Sequence, residues 1–416
     1  MSTTKHRVDP HRVAPHQVAL AAATLATLMA STPAQAVDFD GYFRAGPGAT
    51  SKGNARACYN LNGTGVSGAG THYRLGNECD FYGEFGLAQT GTVEGVTYKA
   101  KVMFNEYNPG TDIGGTSANF NQMYVEGKGF DIAPNVNFWV GKRFYGRADV
   151  HILDYKFVQL DGVGAGADSI GVGGGKLALA YFRTDNNGNL VTSTTPGTRL
   201  NADLSELAVN AGGKLRLTGT YTKGDFSGGT SGYGLSVQHD QENFLGLGGA
   251  NTLWLQYAQG SAGMNQNFGS NLTAPSGTKG FRVVESLTWQ QGAFGGQGVA
   301  LWETNKDGTT SLKTDLISVG GRASYAVGKN FKLVAEAAYS EKKPEGAPTQ
   351  KLAKFTFAPT LSTGPGFWSR PELRLYVTTA KWNSAANAGA GPTGLTGLSN
   401  GKTSGTSYGA QAEIWF

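Results

Sequence analysis

The sequence predicts an all-β fold, a transmembrane antiparallel β-barrel that encloses a water-filled lumen. Three observations predict it: segments with one apolar and one polar face recur along the chain, the N-terminal residues have the pattern of an export signal, and the last residue is the aromatic end of an amphipathic segment. The composition agrees, because 63 glycines provide for many turns and only 39% of the residues are hydrophobic.

Residues 1–36 form the predicted export signal. A basic start is followed by the apolar residues 18–30 and by an Ala-Gln-Ala pattern that ends at Ala36. A membrane-anchoring helix is the alternative interpretation, but residues 18–30 are too few to span a bilayer, which takes about 20 residues. We therefore expect cleavage after Ala36 and a single barrel domain over residues 37–416, exported through the periplasm.

Alternation of apolar and polar residues with a period of two predicts the strands of the wall. Residues 251–258 and 331–339 are two such segments, and each carries most of its large apolar side chains on one face. In a soluble sandwich that face meets a second sheet, whereas in a membrane barrel it meets lipid and the polar face meets water. The export signal and the two chain ends favour the barrel.

Those two ends are the predicted closing strands. Residues 408–416 alternate and stop on Phe416, and residues 37–44 alternate directly after the cleavage site. Together with the leader, an aromatic-ended final strand is typical of outer-membrane barrels. At about 20 residues per strand, the 380 residues that remain of 416 after cleavage predict 18 or 20 strands. The glycine-rich stretches 261–280 and 387–405 are predicted to be external loops.

Charge and cysteine content exclude several classes of protein. The formal net charge of +5 is dispersed, and no stretch interleaves bases with aromatic residues, so nucleic acid is not an expected partner. Cys58 and Cys79 either form one disulfide or, as the alternative, remain free thiols, and without a histidine pair beside them they make a poor zinc site. No metal and no cofactor are expected.

Four large aromatic side chains are predicted to face the lumen, which is an uncommon position for such residues in contact with water. Strand parity turns Tyr42, Tyr82, Trp368 and Trp415 inward, beside charged residues. A flat ring stacks on the apolar face of a sugar while charged side chains hydrogen-bond the hydroxyl groups around it. This pattern indicates a path for saccharides, with interfacial girdles or packing beneath a loop as the alternatives.

The chain also contains six longer motifs: Val37-Asp38-Phe39-x-Gly41-Tyr42-x-Arg44, Tyr73-Arg74-Leu75-Gly76-Asn77-Glu78-Cys79, Gly141-Lys142-Arg143-Phe144-Tyr145-x-Arg147-x-Asp149-Val150-His151, Trp368-Ser369-Arg370-Pro371, Ala380-Lys381-Trp382 and Gly409-Ala410-Gln411-x-Glu413-Ile414-Trp415. In this order they resemble the maltoporin family of sugar-specific outer-membrane porins. The resemblance covers residues 37–416 and is strongest towards both ends of that range.

The resemblance implies a homotrimer of 18-stranded barrels in the bacterial outer membrane, through which oligosaccharides diffuse. It also implies a disulfide between Cys58 and Cys79 in the first external loop, and a third loop, around Asp149–Gly166, that folds into the pore. The family's aromatic slide and polar track correspond here to Tyr42, Tyr82, Trp368 and Trp415, and to Arg44, Arg74, Glu84, Arg147 and Asp154.

At several family positions this chain departs from the pattern. The aromatic position contributed by a neighbouring subunit's loop aligns with Ile113, and another aromatic position aligns near Leu235. At the constriction, Lys156 stands where maltodextrin-specific members have tyrosine, Asn121 replaces an arginine, and Gln159 replaces an aspartate. Sugar passage remains the expectation, while the identity of the sugar is left open.

Two other functions fit parts of the sequence. Asp149, His151 and Asp154 offer acid and imidazole groups for an enzyme, but no serine or cysteine nucleophile stands beside them in a recognisable setting, so catalysis is not expected. A general diffusion porin has the same fold and passes small solutes and ions by size and charge, but it has no use for a stacking path. It is the alternative that the sequence leaves open.

Overall fold

The computed structural model describes residues 37–51, 55–61, 70–108, 118–184, 195–269, 271–392, 394–396 and 401–416. The predicted export signal, residues 1–36, and the family position at Ile113 lie outside these residues.

Twenty-one strands and one short α-helix, α1 (Ser384–Gly389), make up the regular structure of the described residues, together with single 3-10 turns at His151–Leu153 and Phe244–Gly246. No helix in these ranges is long and apolar enough to cross a membrane. The strands are β1 Asp38–Ala45, β2 Gly48–Thr50, β3 Phe81–Val93, β4 Val96–Asn108, β5 Asn119–Lys128, β6 Asn137–Arg143, β7 Ala148–Val150, β8 Tyr155–Val158, β9 Gly162–Val172, β10 Gly175–Thr184, β11 Gly197–Asn210, β12 Gly213–Gly224, β13 Ser231–Glu242, β14 Ala250–Gly260, β15 Lys279–Gln291, β16 Phe294–Lys306, β17 Lys313–Gly328, β18 Phe331–Pro344, β19 Gln350–Ser362, β20 Glu372–Trp382 and β21 Ser404–Trp415.

Nineteen of these strands form one antiparallel sheet that closes on itself. The closing pair is the predicted one, β1 with β21, in a register that sets Tyr42 opposite Trp415 and Arg44 opposite Glu413. The three-residue β2 continues β1 along the same neighbour, β21, so the wall is an 18-stranded barrel. The predicted fold class and the predicted pairing of the first and last strands are therefore confirmed.

The wall is apolar outside and polar inside. On β20, Leu373 and Leu375 are 57% and 64% exposed, whereas the alternating Glu372 and Arg374 are both 3% exposed. Successive side chains of a strand point to opposite faces of the sheet. Because the lumen face is covered by other parts of the chain, the exposed leucines must be on the outer face. This strand thus has the apolar outer face and the polar inner face of a membrane barrel.

The two ends of the barrel differ in their connections. Where β1 begins and β21 ends, five of the eight connections between neighbouring strands are turns of two residues. Glu94-Gly95 alone joins β3 to β4, with φ values of 47° and 86°, as a two-residue hairpin turn requires. At the opposite end the connections are longer, for example residues 261–278 between β14 and β15. The terms short-turn end and long-loop end are used below in this sense.

The disulfide predicted from the two cysteines is present in the first long connection, between β2 and β3. It joins Cys58 to Cys79. The loop that it closes reaches into the lumen, because Tyr73 and Leu75 are fully buried and Arg74 is 3% exposed. This places residues of the first loop against the inner wall.

A second segment, the connection between β6 and β9, also folds inside the barrel. This inward hairpin (residues 144–161) contains β7, the turn His151–Leu153 and β8. Its buried side chains Ile152, Leu153 and Phe157 belong to the same apolar cluster as Trp254 of the wall. The predicted extent of this loop, Asp149–Gly166, was wrong at its end: Gly162 already starts β9, which pairs with both β6 and β10 as part of the wall.

Phe157→Ala is expected to loosen the inward hairpin. The Phe157 ring is fully buried and lies 5.4 Å from the Trp254 ring, and removal of such a side chain typically costs about 3–5 kcal/mol. A hairpin that moves should raise the conductance of single channels in planar bilayers and add current noise. Phe157→Leu, which keeps most of the apolar volume, is the control. An unchanged conductance in Phe157→Ala would show that this contact does not hold the hairpin.

Candidate functional site

The four predicted aromatic residues come from neighbouring segments of the wall. Tyr42 of β1 lies opposite Trp415 of β21 and opposite Glu84 of β3. Tyr82 lies two residues before Glu84 on β3, opposite Arg44. Directly opposite residues of antiparallel strands point to the same side of the sheet. The pairing therefore gathers these side chains on one part of the inner wall.

Trp368 reaches the same part of the wall from the short-turn end. It lies in the connection 363–371 between β19 and β20, whose backbone is tied down on both sides of it. The Phe367 N–H donates to the Gln290 side-chain oxygen at 2.8 Å, and Arg370 donates to the Phe367 carbonyl at 3.0 Å. The ring of Phe367 is buried, whereas that of Trp368 is directed into the lumen beside Trp415.

The rings form two neighbouring pairs, Tyr82 with Tyr42 and Trp415 with Trp368, and the strand register sets Tyr42 opposite Trp415 between them. The four rings are called here the aromatic line (Tyr82, Tyr42, Trp415 and Trp368). The centroids of Tyr82 and Tyr42 are 6.2 Å apart, and those of Trp415 and Trp368 are 6.5 Å apart. The two indoles remain 37% and 43% exposed. The line therefore runs from the long-loop side of the lumen to the short-turn end with ring surface open to water.

His151 of the inward hairpin completes this series and was not predicted as part of it. Its ring centroid lies 5.2 Å from that of Trp368 and 5.6 Å from that of Trp415. Arg370 donates to His151 Nε2 at 3.2 Å. A second guanidinium, that of Arg74, faces His151 Nδ1 at 3.5 Å, so both ring nitrogens lie against arginines. The hairpin thus adds a third ring between the two tryptophans.

Three of the four rings of the aromatic line are backed by arginines. The guanidinium carbon of Arg370 lies 4.2 Å from the Trp415 ring centroid, that of Arg44 lies 5.3 Å from Tyr82, and that of Arg74 lies 5.7 Å from Tyr42. A cation near an aromatic ring attracts it electrostatically. Charge therefore helps to hold these three rings in place, and Trp415 remains 37% exposed.

The arginines are in turn held by buried carboxylates, which together form the arginine–carboxylate network (Arg44, Arg74, Arg370, Arg374, Glu78, Asp80, Glu372 and Glu413). Its centre is the fully buried Glu413, which pairs with Arg74 at 3.0 Å, with Arg370 at 2.9 Å and also with Arg374, and accepts from the Tyr42 hydroxyl at 3.2 Å. Arg44 pairs with Asp80 at 2.6 Å and with Asp154 of the inward hairpin at 2.8 Å. The network links wall and hairpin under the aromatic line.

The charge states on the inward hairpin follow from this environment. Burial lowers the pKa of His151 well below its ordinary value, against the opposing effect of Glu413, so the ring is neutral at neutral pH. Burial raises the pKa of Asp154, but the positive charges of Arg74 and Arg44 outweigh it and hold that pKa well below its usual range. A neutral imidazole and an ionised carboxylate therefore face the lumen.

The predicted polar residues lie around one cavity of about 670 Å³ between the wall and the inward hairpin. Trp368 instead lines a second cavity, of about 300 Å³, which shares Asp149, His151 and Trp415 with the first. The aromatic line connects the two. The first cavity is lined by all the other predicted lumen residues, namely Tyr42, Tyr82, Trp415, Arg44, Arg74, Glu84, Asn121, Arg147, Asp154, Lys156 and Gln159.

Several polar groups of the first cavity are already engaged. Asp161, which the sequence did not single out, accepts from Arg147 at 2.9 Å and from Gln159 at 2.9 Å. Asn121 donates to Glu84 at 3.1 Å. Lys156 has the loosest contact, because its ammonium nitrogen is 3.9 Å from Asp154, whose other oxygen is bound by Arg44.

One aligned position does not belong to the lumen. Leu235 and its neighbour Tyr233 on β13 are exposed and alternate with the buried Gly234 and Ser236. The Tyr233 ring lies 6.0 Å from that of Tyr257 on the same outer face. The interpretation of Leu235 as a track position is therefore wrong, because strand parity turns it away from the pore.

A family model and several solved structures match the barrel. The family model described as LamB porin matches residues 37–416. Solved structures with similar shape include an anion-selective porin from Comamonas acidovorans (10% identity, TM-score 0.47, covering 91% of this chain and 100% of that one). Two more are the outer-membrane protein OmpT of Vibrio cholerae in its trimer form (12%, 0.42, 92% and 100%) and a mutant of Rh. blastica porin (14%, 0.42, 91% and 100%).

Glu413→Gln is expected to destabilise the barrel by about 3 kcal/mol or more, because it leaves three buried arginines short of a shared negative charge. Urea unfolding followed by tryptophan fluorescence measures the change. Glu242→Gln, which removes an exposed carboxylate 3.8 Å from Lys214, is the matched control and should shift the midpoint little. Equal shifts in both variants would contradict a central role for Glu413.

Proposed function

The chain belongs to the LamB porin family and forms a channel in the bacterial outer membrane, and we propose that oligosaccharides diffuse through this channel along the aromatic line. The observation that carries the proposal is the series of partly exposed rings that crosses the lumen from Tyr82 to Trp368. The family and the fold point to a channel rather than an enzyme.

Ring stacking supports a saccharide as the solute. A pyranose presents apolar C–H faces, which gain from contact with a flat aromatic surface, and a belt of hydroxyl groups, which require hydrogen-bond partners. A solute without such faces gains nothing from four rings set in a row. Arginines lie against Tyr42, Tyr82 and Trp415, whereas Trp368 packs against Phe367 with ring centroids 4.8 Å apart. All four rings are nevertheless partly exposed.

Polar groups beside the rings supply the hydrogen-bond partners. Arg147 and Lys156 keep 26% of their side-chain surface exposed, and both line the first cavity together with Asn121 and Glu84. Charged partners strengthen hydrogen bonds to hydroxyl groups. Conduction requires several contacts of moderate strength rather than one tight site, and this distribution of donors and acceptors along the line meets that requirement.

The remaining expectations of the family resemblance are part of the proposal. We propose cleavage after Ala36, a single barrel domain over residues 37–416 and assembly as a homotrimer in the outer membrane. We propose that the preferred sugar differs from maltodextrin, because Lys156, Asn121 and Gln159 change the side chains at the constriction. A general diffusion porin is the competing function, and it predicts a current that no sugar blocks saturably.

Trp368→Ala is expected to weaken sugar block severalfold, since a stacked aromatic contact is worth about 1 kcal/mol. The measurement is the ion current through reconstituted channels with increasing concentrations of a panel of di- and oligosaccharides. Trp302→Ala is the matched control, because Trp302 is exposed on the outer face of β16 and should not affect block. Unsaturable or absent block in the unsubstituted protein would favour a general porin, and equal block in Trp368→Ala would remove this residue from the path.

Lys156→Tyr is expected to shift ion selectivity towards cations. Lys156 lines the first cavity and is only loosely paired, so its charge attracts anions into the lumen. Reversal potentials under a salt gradient measure the shift. Lys329→Gln removes an exposed positive charge from the turn between β17 and β18 and serves as the control. Identical reversal potentials for Lys156→Tyr and the unsubstituted protein would show that Lys156 does not line the conducting path.

A further inference from the structure

Lysines occupy the outer surface of six consecutive strands at the long-loop end. Each of β15 to β20 carries one at its last or nearly last position on that side, and alternation places all of them on the outward face. On β17, for example, the lysine shares its face with the exposed Ile317 and Val319. The six are Lys279, Lys306, Lys313, Lys343, Lys351 and Lys381.

Three of these lysines lie directly beside one another. In the strand register Lys279 is opposite Lys306, and Lys306 is opposite Lys313. Like charges in directly opposite positions repel and destabilise a sheet. Within the part of the chain that the structure describes, none of the three ammonium groups has a carboxylate oxygen within 4.0 Å. The row therefore concentrates positive charge that this chain does not neutralise.

Acidic residues near the row are few. On the same outward face, Asp315 lies opposite Thr304 and Lys343 in the register. Glu341 is already paired with Lys351 at 3.6 Å. Glu345 accepts from the Lys313 backbone N–H at 2.8 Å, and Asp307 follows Lys306 in the turn. Against these four carboxylates, the six lysines still leave a net positive charge at this end of β15 to β20, which an external anion would neutralise.

The surface directly below the row is apolar and aromatic. Phe281 and Trp302 pack edge to face with centroids 5.7 Å apart, and Ile317 lies beside them on β17. At about 3.3 Å per residue and a tilt of about 40°, the strand from Phe294 to Lys306 rises by about 30 Å. This slightly exceeds an apolar band of about 25 Å. The lysines are therefore placed at the level of lipid head groups.

The opposite end of the same strands has a different character. Its outward positions are apolar or aromatic: Phe294 on β16, Tyr325 on β17, Phe331 on β18, Leu361 on β19 and Leu373 on β20. Long loops of outer-membrane barrels lie outside the cell and short turns face the periplasm. The positive row therefore belongs to the outer leaflet alone.

We propose that Lys279, Lys306 and Lys313 bind the phosphate-bearing head group of a glycolipid in the outer leaflet. A phosphate offers several strong acceptor oxygens, and three ammonium groups in one row can share it while their mutual repulsion is relieved. The acyl chains of such a lipid would lie along Phe281, Trp302 and Ile317. This binding is independent of what passes through the lumen.

Native mass spectrometry of the purified, detergent-solubilised channel with added bisphosphorylated lipid A tests the proposal. The triple variant Lys279→Gln/Lys306→Gln/Lys313→Gln should retain this lipid about tenfold less than the unsubstituted protein, since each lysine near an anionic surface contributes substantially to binding. The control is Lys128→Gln/Lys214→Gln/Lys329→Gln, which removes the same charge from exposed positions at the short-turn end and should retain the lipid unchanged. Ion conductance verifies that both variants are folded.

Two further arms separate the lipid from other occupants. In the first, lipid A without its phosphates should bind the unsubstituted protein as weakly as phosphorylated lipid A binds the Lys279→Gln/Lys306→Gln/Lys313→Gln variant. In the second, inorganic phosphate alone should not displace bound lipid. Equal retention by both triple variants, or retention that does not depend on phosphate, would overturn the proposal. A changed subunit number in the Lys279→Gln/Lys306→Gln/Lys313→Gln variant would overturn it as well, because the row would then face another copy of the chain.

Discussion

Closure of the sheet is the constraint on which the rest of this structure depends. Backbone N–H and C=O groups that face lipid find no water, so a sheet that crosses a membrane must pair every strand on both sides. Here the last free edges meet as β1 and β21, in a register that sets Tyr42 against Trp415 and Arg44 against Glu413. The middle of the aromatic line and the centre of the arginine–carboxylate network are thus produced by the seam that closes the barrel.

The seam also explains why the aromatic line can stay open to water. Rings in a soluble protein are normally held by an apolar core on all sides. In this lumen, Tyr42, Tyr82 and Trp415 are each held from one side by an arginine. Those arginines are fixed by buried carboxylates, and a buried carboxylate is tolerated only with such partners. Ring position and ring exposure are compatible because charge, and not apolar packing, supplies the support.

The sequence predicted the features that follow from local residue patterns. It did not predict the contacts that form where segments distant in sequence meet. Period-two alternation and the two chain ends predicted the barrel, its closing pair and the inward direction of Tyr42, Tyr82 and Trp415. It did not predict His151 between the two tryptophans, nor Asp161 as the partner of Arg147, because both follow from the path of the inward hairpin. The family alignment sets an aromatic track position near Leu235, but alternation with the buried Gly234 and Ser236 turns its side chain to the outer face.

The two kinds of cation on this barrel match the two environments. The cations behind the aromatic line are arginines, whose planar fork pairs with two carboxylates at once, as Arg370 does with Glu372 and Glu413. The outward row at the long-loop end consists of lysines, whose compact and strongly hydrated charge ends a flexible stem. A fixed fork suits a wall that must hold a ring in place. A flexible ammonium group suits a surface that meets head groups in a fluid leaflet, because it can follow an anion whose position changes.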